Sequence, residues 1–183
     1  MNVLLSGRDL QNTLAVLILL ARLGDIGSTY LATPTLKMES NPIMRFGGWR
    51  LALLTVFACL IPYFDVQLGV TMLVLSLLVT GSNLSRGWLM RALGESGYQD
   101  VIRSAASRST LPVALAFVVG GAVSIGLAGL VMIAASGGPA TWAYWAAWGV
   151  GLYALAVGVY GALSTVRLFR EVSTSAPLPS NDA

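Results

Sequence analysis

Apolar residues dominate residues 10–32, with polar interruptions, and run more continuously over residues 111–135 and 142–169, each long enough for a helix to cross a bilayer, which takes roughly 20 residues. A fourth apolar stretch, residues 49–80, is longer than one crossing requires. Pro62, Asp65, Gln67 and Gly69 cluster at its middle. The pattern therefore predicts a second helix to about Tyr63, a tight turn over residues 64–67, and a third helix from about Leu68.

Punctuation supports these boundaries. Thr33-Pro34 ends the first helix, because the residue before a proline is pushed out of helical geometry. Asn41-Pro42 reads as a helix start, with Asn as N-cap and Pro in the first helical position. Residues 94–110 mix Arg103 and Arg108 with Val101 and Ile102, the pattern of a short amphipathic helix lying along a surface. Pro112 sits in the first turn of the fourth helix, and Ser136-Gly137-Gly138-Pro139 is a turn by composition. Residues 1–9 form a frayed or interfacial lead, and residues 172–183, with two prolines and low hydrophobicity, read as a disordered tail after one transmembrane domain over residues 1–171.

Composition sharpens the class. The 183 residues are 56% hydrophobic and 10% charged, whereas soluble domains carry roughly 25% charged residues. The expected fold is an all-α polytopic bundle of five transmembrane helices. The net charge of +3 is too small and too scattered for a nucleic-acid surface. With no histidine in the chain, the usual haem and zinc ligand is missing and neither cofactor is expected. The lone Cys59 lies in an apolar run and reads as an inert buried thiol. Arg22 and Asp25 interrupt the first apolar run where a cleavable signal segment stays apolar, so that helix is expected to be retained.

Basic residues set the expected orientation. Lys37, Arg45 and Arg50 flank the first connection, Arg86, Arg91, Arg103 and Arg108 the third, and Arg167 and Arg170 the tail, while the second and fourth connections have no Lys or Arg. The positive-inside rule then puts the C-terminus in the cytoplasm and the N-terminus outside; the expected location is a prokaryotic inner membrane. Small residues recur every fourth position at Gly120, Ser124 and Ala128, at Ala147 and Gly151, and at Ala154, Gly158 and Ala162. Such stripes let helices approach closely in lipid, either within the chain or against a second copy or a partner subunit.

Candidate chemistry is confined to the first helix, the loop after it and the far end of the third helix. Arg22, Asp25, Ser28 and Thr29 share one face at spacings of three and four. Counted from Ala32, Arg22 lies about 15 Å and Asp25 about 10 Å deep, at ~1.5 Å per residue. An unpaired charge at such depth costs at least ~2.5–3.5 kcal/mol, so the pair must face protein, whether as mutual neutralisation or as part of a site. Glu39 and Asn41 come just outside the membrane, and Asn83 with Arg86 falls at the same level on the third helix. Asp25, Glu39 and Asn83 supply hard oxygen ligands suited to Mg²⁺ or another divalent cation, and Arg45 and Arg86 suit a phosphate. Asp25, Thr29, Glu39, Asn41, Asn83, Arg45 and Arg86 are thus the candidate ligand or headgroup residues.

Asp25-x3-Thr29 with Glu39-x-Asn41-Pro42 after it resembles the signature of a family of short prokaryotic integral membrane proteins of unknown function. The resemblance covers roughly the first 45 residues; it groups these four residues into one site and implies no activity. Metalloprotease, serine-hydrolase, P-loop and Rossmann motifs do not occur. Three functions stay open: a cytoplasmic-face site for a divalent cation or an anionic lipid headgroup, with or without a reaction; a non-enzymatic subunit of a larger membrane complex; and a small transporter or channel.

Overall fold

The computed structural model describes residues 7–36 and 42–175. Its elements are α1 (Gly7–Ala32), α2 (Pro42–Leu54), a 3₁₀ turn (Thr55–Leu60), α3 (Ile61–Phe64), α4 (Val66–Ser107), α5 (Leu111–Ala135) and α6 (Trp142–Ser175), with no strand among the described residues. Five helical segments are long and apolar enough to cross a membrane: α1, the composite Arg45–Phe64, α4, α5 and α6.

The second span changes character along its length because of Pro62. A proline lacks the N–H that would bond four residues back, and its ring crowds that carbonyl. The chain tightens into a 3₁₀ segment before it, and the Ile61 N–H donates to the Ala58 carbonyl. The expected four-residue turn contracts to a single residue. Asp65 is extended at φ −150° and ψ 114°, and its carboxylate Oδ1 accepts from the Gln67 and Leu68 N–H groups at 2.8 and 2.9 Å. One side chain thus caps the start of α4 so fully that no further loop is needed. Gly69 permits the return, since a Cβ there would lie 2.9 Å from the Pro62 ring.

α4 is two helices joined at Gly94, whose φ 70° and ψ 167° belong to a region that only glycine occupies readily. The portion up to Gly94 is long enough to cross a bilayer, and residues 95–107 form a helix beyond the kink, within the stretch expected to be a separate short helix. α6 runs six residues past its expected end, to Ser175; the rest of the expected disordered tail lies outside the described residues. At ~1.5 Å per residue α6 is roughly 50 Å long, against a hydrocarbon core of ~30 Å, so it is longer than one crossing requires. Toward its end Glu171 accepts from Arg167 at 2.8 Å and pairs with Arg103 of α4 at 3.8 Å.

The spans pack as a row: α5 on α6, α6 on α4, α4 on α1, and α1 on the second span, which also touches α4 through α3. The small residues of α6 make the close approaches. Gly151 and Ala147 present backbone atoms 3.3 Å from where a Gly129 Cβ would lie, and a Gly158 Cβ would lie 3.1 Å from Ala122. On α5 the packed face is Val118, Ala122, Gly126 and Gly129, whereas Gly120, Ser124 and Ala128 are exposed. α5 carries small residues nearly all round, so a repeat of four fits more than one of its faces.

Candidate functional site

The polar residues of α1 are organised by its contact with α4. Ile18, Ala21, Asp25, Ser28 and Ala32, spaced by three and four, form the buried stripe of α1. Facing them on α4 are Thr80, Asn83 and Gly87, at the same spacings. A Cβ on Gly24 would lie 3.2 Å from Thr80 Cγ2, and one on Gly87 3.6 Å from the Ala32 Cβ. These small side chains bring the backbones close enough for short polar groups to reach across. The Thr80 hydroxyl shares its proton between the Ala21 carbonyl at 3.0 Å and the Ser76 carbonyl of its own helix at 2.9 Å.

Asn83 is the centre of the network. Its Nδ2 donates to Asp25 Oδ1 at 2.7 Å and to Thr29 Oγ1 at 3.1 Å. Arg22 reaches the other carboxylate oxygen, Oδ2, at 3.4 Å, and both side chains of that pair are nearly enclosed, at 12% and 13% exposure. Ser28 donates its hydroxyl to the Asp25 carbonyl at 2.9 Å. Both carboxylate oxygens are therefore engaged within the protein. Among the described residues, Arg22 Nε alone is buried with no hydrogen-bond partner.

Asp25, Thr29 and Asn83 are thus brought together as their sequence positions predict, with Arg22 joining them. Arg45 and Arg86 have exposed side chains and make no hydrogen bond to this network. Glu39 and Asn41 lie outside the described residues. Of the three candidate metal ligands, Asp25 and Asn83 meet, but Asn83 turns its N–H toward the carboxylate; a shared cation would require its carbonyl oxygen there instead. No group of three acidic, histidine or cysteine side chains among the described residues is placed to hold a metal ion.

Glu95, not a candidate from sequence, holds the next layer. Its Oε1 accepts from Thr33 Oγ1 at 2.8 Å and the Thr35 N–H at 3.2 Å, and its Oε2 from Thr35 Oγ1 at 2.6 Å. The chain leaving α1 is thereby clasped to the bend of α4. The only local signal is a Thr-Pro-Thr exit and a Gly-Glu pair some 60 residues later. Beside the clasp opens a cleft of about 420 Å³ lined by Leu31, Ala32 and Pro34 on one side and by Met90, Arg91, Gly94, Glu95, Ser96 and Gln99 on the other.

Fold and site together define an all-helical protein with five helices long and apolar enough to cross a membrane, a polar network between α1 and α4 that engages both Asp25 oxygens, and a cleft at the Ala32 end of α1. No family model, curated protein or solved structure matches the chain.

Proposed function

We propose that this is an integral protein of a prokaryotic inner membrane, oriented with its N-terminus outside, that engages anionic lipid headgroups at its cytoplasmic face. One observation carries the reading. Arg45, Arg50, Arg86, Arg91, Arg103, Arg108, Arg167 and Arg170 all have exposed side chains and all come after the chain's passage to the Ala32 end of α1. Arg8 is the one exposed arginine at the other end among the described residues. Near an anionic bilayer surface each such residue contributes about 1 kcal/mol of attraction. The Arg22, Asp25, Asn83 and Thr29 network supports this role from within, by holding α1 and α4 in register beneath that face.

Occupation of both Asp25 oxygens favours the headgroup reading over the divalent-cation reading. The test is thermal unfolding of the protein in lipid nanodiscs that are purely zwitterionic or partly anionic. A higher melting temperature in the anionic discs, lost when salt screens the charges, is expected. Equal melting temperatures would contradict the reading. Stabilisation by Mg²⁺ in zwitterionic discs would instead restore the cation site of Asp25, Glu39 and Asn83.

A second reading, a non-enzymatic subunit of a larger complex, is favoured by the outer face of α5. Gly120, Ser124 and Ala128 are exposed there, and a Cβ added at Gly120 meets nothing within 4 Å. Purification in mild detergent separates the two, since a subunit would emerge with partners at fixed stoichiometry.

A further inference from the structure

We propose that the cleft between the Ala32 end of α1 and the bend of α4 is a discrete site for one lipid phosphodiester headgroup carrying a single negative charge, with Arg91 as its anchor; this rests on the headgroup reading and locates it. At about 420 Å³ the cleft has the volume of a small-ligand pocket. Its lining has two characters. Leu31, exposed at 56%, and Met90 belong to the apolar lengths of α1 and α4, while Arg91, Ser96 and Gln99 follow where the α4 chain turns polar. That gradient suits a molecule with an apolar tail and a polar head more closely than a free anion.

Three features of the polar lining point to phosphate. Arg91 is exposed and has no hydrogen-bond or ion-pair partner among the described residues, so its planar fork of N–H donors is open to a pair of phosphate oxygens. The non-helical backbone at Gly94 gives residues 95–107 their own N-terminal turn at the cleft, and the first turn of a helix offers backbone N–H groups and a positive dipole end to an anion. The Ser96 hydroxyl and the Gln99 amide add neutral donors to the same lining.

Glu95 sets the charge that the site accepts. Its carboxylate also lines the cleft, held by Thr33 and Thr35. Among the described residues that line the cleft one arginine stands beside one carboxylate, and this accommodates a monoanion better than a dianion, because each added negative charge meets more repulsion from Glu95. A phosphodiester such as a phosphoglycerol headgroup fits that balance, and a terminal phosphomonoester fits it less well.

The test uses the full chain in uncharged detergent, titrated with short-chain phosphatidylglycerol, short-chain phosphatidic acid, and the chain-free headgroup glycerophosphoglycerol, with melting temperature as the readout. A saturable rise is expected with phosphatidylglycerol, a weaker one with phosphatidic acid, and none with the chain-free headgroup over the same range. Arg91→Gln should weaken the phosphatidylglycerol response about tenfold, the loss of a charge-assisted hydrogen bond. Arg91→Lys should restore part of it, and Arg170→Gln, at the exposed end of α6 and outside the cleft, should weaken it by much less. Equal losses in the Arg91 and Arg170 variants would overturn the cleft site while leaving the headgroup reading standing. A flat response of the wild type to every lipid would overturn the headgroup reading itself. Equal binding of the chain-free headgroup would replace the lipid by a soluble phosphodiester, and tighter phosphatidic acid binding would overturn the charge argument.

Discussion

Asn83 donates its side-chain amide to the Asp25 carboxylate at 2.7 Å, across 58 residues of sequence, and so fixes the register of α4 on α1. The contact is polar, deep in a span, and completed on its other side by Arg22. Its strength is bounded by its setting. Interhelical hydrogen bonds in membranes average about 0.6 kcal/mol and reach about 1.7, because the separated helices find other partners.

Removing one member of the ion pair should therefore cost more than removing Asn83. Asp25→Ala strands the Arg22 guanidinium, and breaking a buried pair typically costs about 3–5 kcal/mol. Asn83→Ala should cost about 1 kcal/mol. The double replacement Arg22→Met with Asp25→Leu should recover most of the loss, since apolar residues of similar volume often match a buried pair. Unfolding in mixed micelles measures all three, and a double variant as unstable as Asp25→Ala would show that the carboxylate has a partner beyond Arg22 and Asn83.

Glycines on α5 and α6 should separate cleanly by position. A Cβ at Gly149 would stand 2.7 Å from the Thr71 carbonyl oxygen and 2.8 Å from Val74 Cβ, with backbone that has no room to yield. Gly149→Ala should destabilise by about 1–3 kcal/mol through overpacking between α4 and α6. Gly120→Ala, where the added methyl meets nothing, should leave the melting temperature of the isolated protein unchanged. Size-exclusion chromatography on the Gly120 variant, where α5 faces away from the bundle, reports any self-association through that stripe.

The exit of α1 should loosen when its clasp is weakened. Thr35 N–H and Thr35 Oγ1 both donate to Glu95, and hydrogen bonds to a charged acceptor contribute about 1.5–3 kcal/mol. Glu95→Ala should accelerate hydrogen exchange of the Thr35 amide about tenfold or more, with exchange in the middle of α5 unaffected. Unchanged protection at Thr35 would mean that the loop is held by something other than this carboxylate.

Much of the architecture was legible because lipid restricts what a backbone can do. An apolar run must be a helix if no water is present to satisfy its amides, and that ground, with Pro112 at one end and the Ser136-Gly137-Gly138-Pro139 turn at the other, bounds residues 111–135 correctly. The same argument brought Asp25, Thr29 and Asn83 together, since polar groups on apolar helices must find one another. The features that escaped depended on geometry that pattern does not carry. The Asp65 cap removed a turn that composition suggested, the packed face of α5 was one of several that a spacing of four allowed, and the Glu95 clasp joins segments some 60 residues apart whose local sequence does not say that they pair. Arg45 and Arg86 shared a level with the network in sequence, but their exposed side chains make no bond to it.

The proposed orientation has a direct readout. Reporter fusions after Asp65 and after Pro139 should both signal the outside of the cell, because each connection lacks basic residues while those on the other side are rich in arginine. A cytoplasmic signal from either one contradicts the orientation.

Headgroup binding is tested most directly by native mass spectrometry of the protein released from bilayers containing equal amounts of phosphatidylglycerol and phosphatidylcholine. The account predicts that the ejected protein retains phosphatidylglycerol in preference, with one molecule held at collision energies that strip the rest, and that Arg91→Gln loses that last molecule. Retention of the two lipids in equal proportion, or of neither, would contradict it.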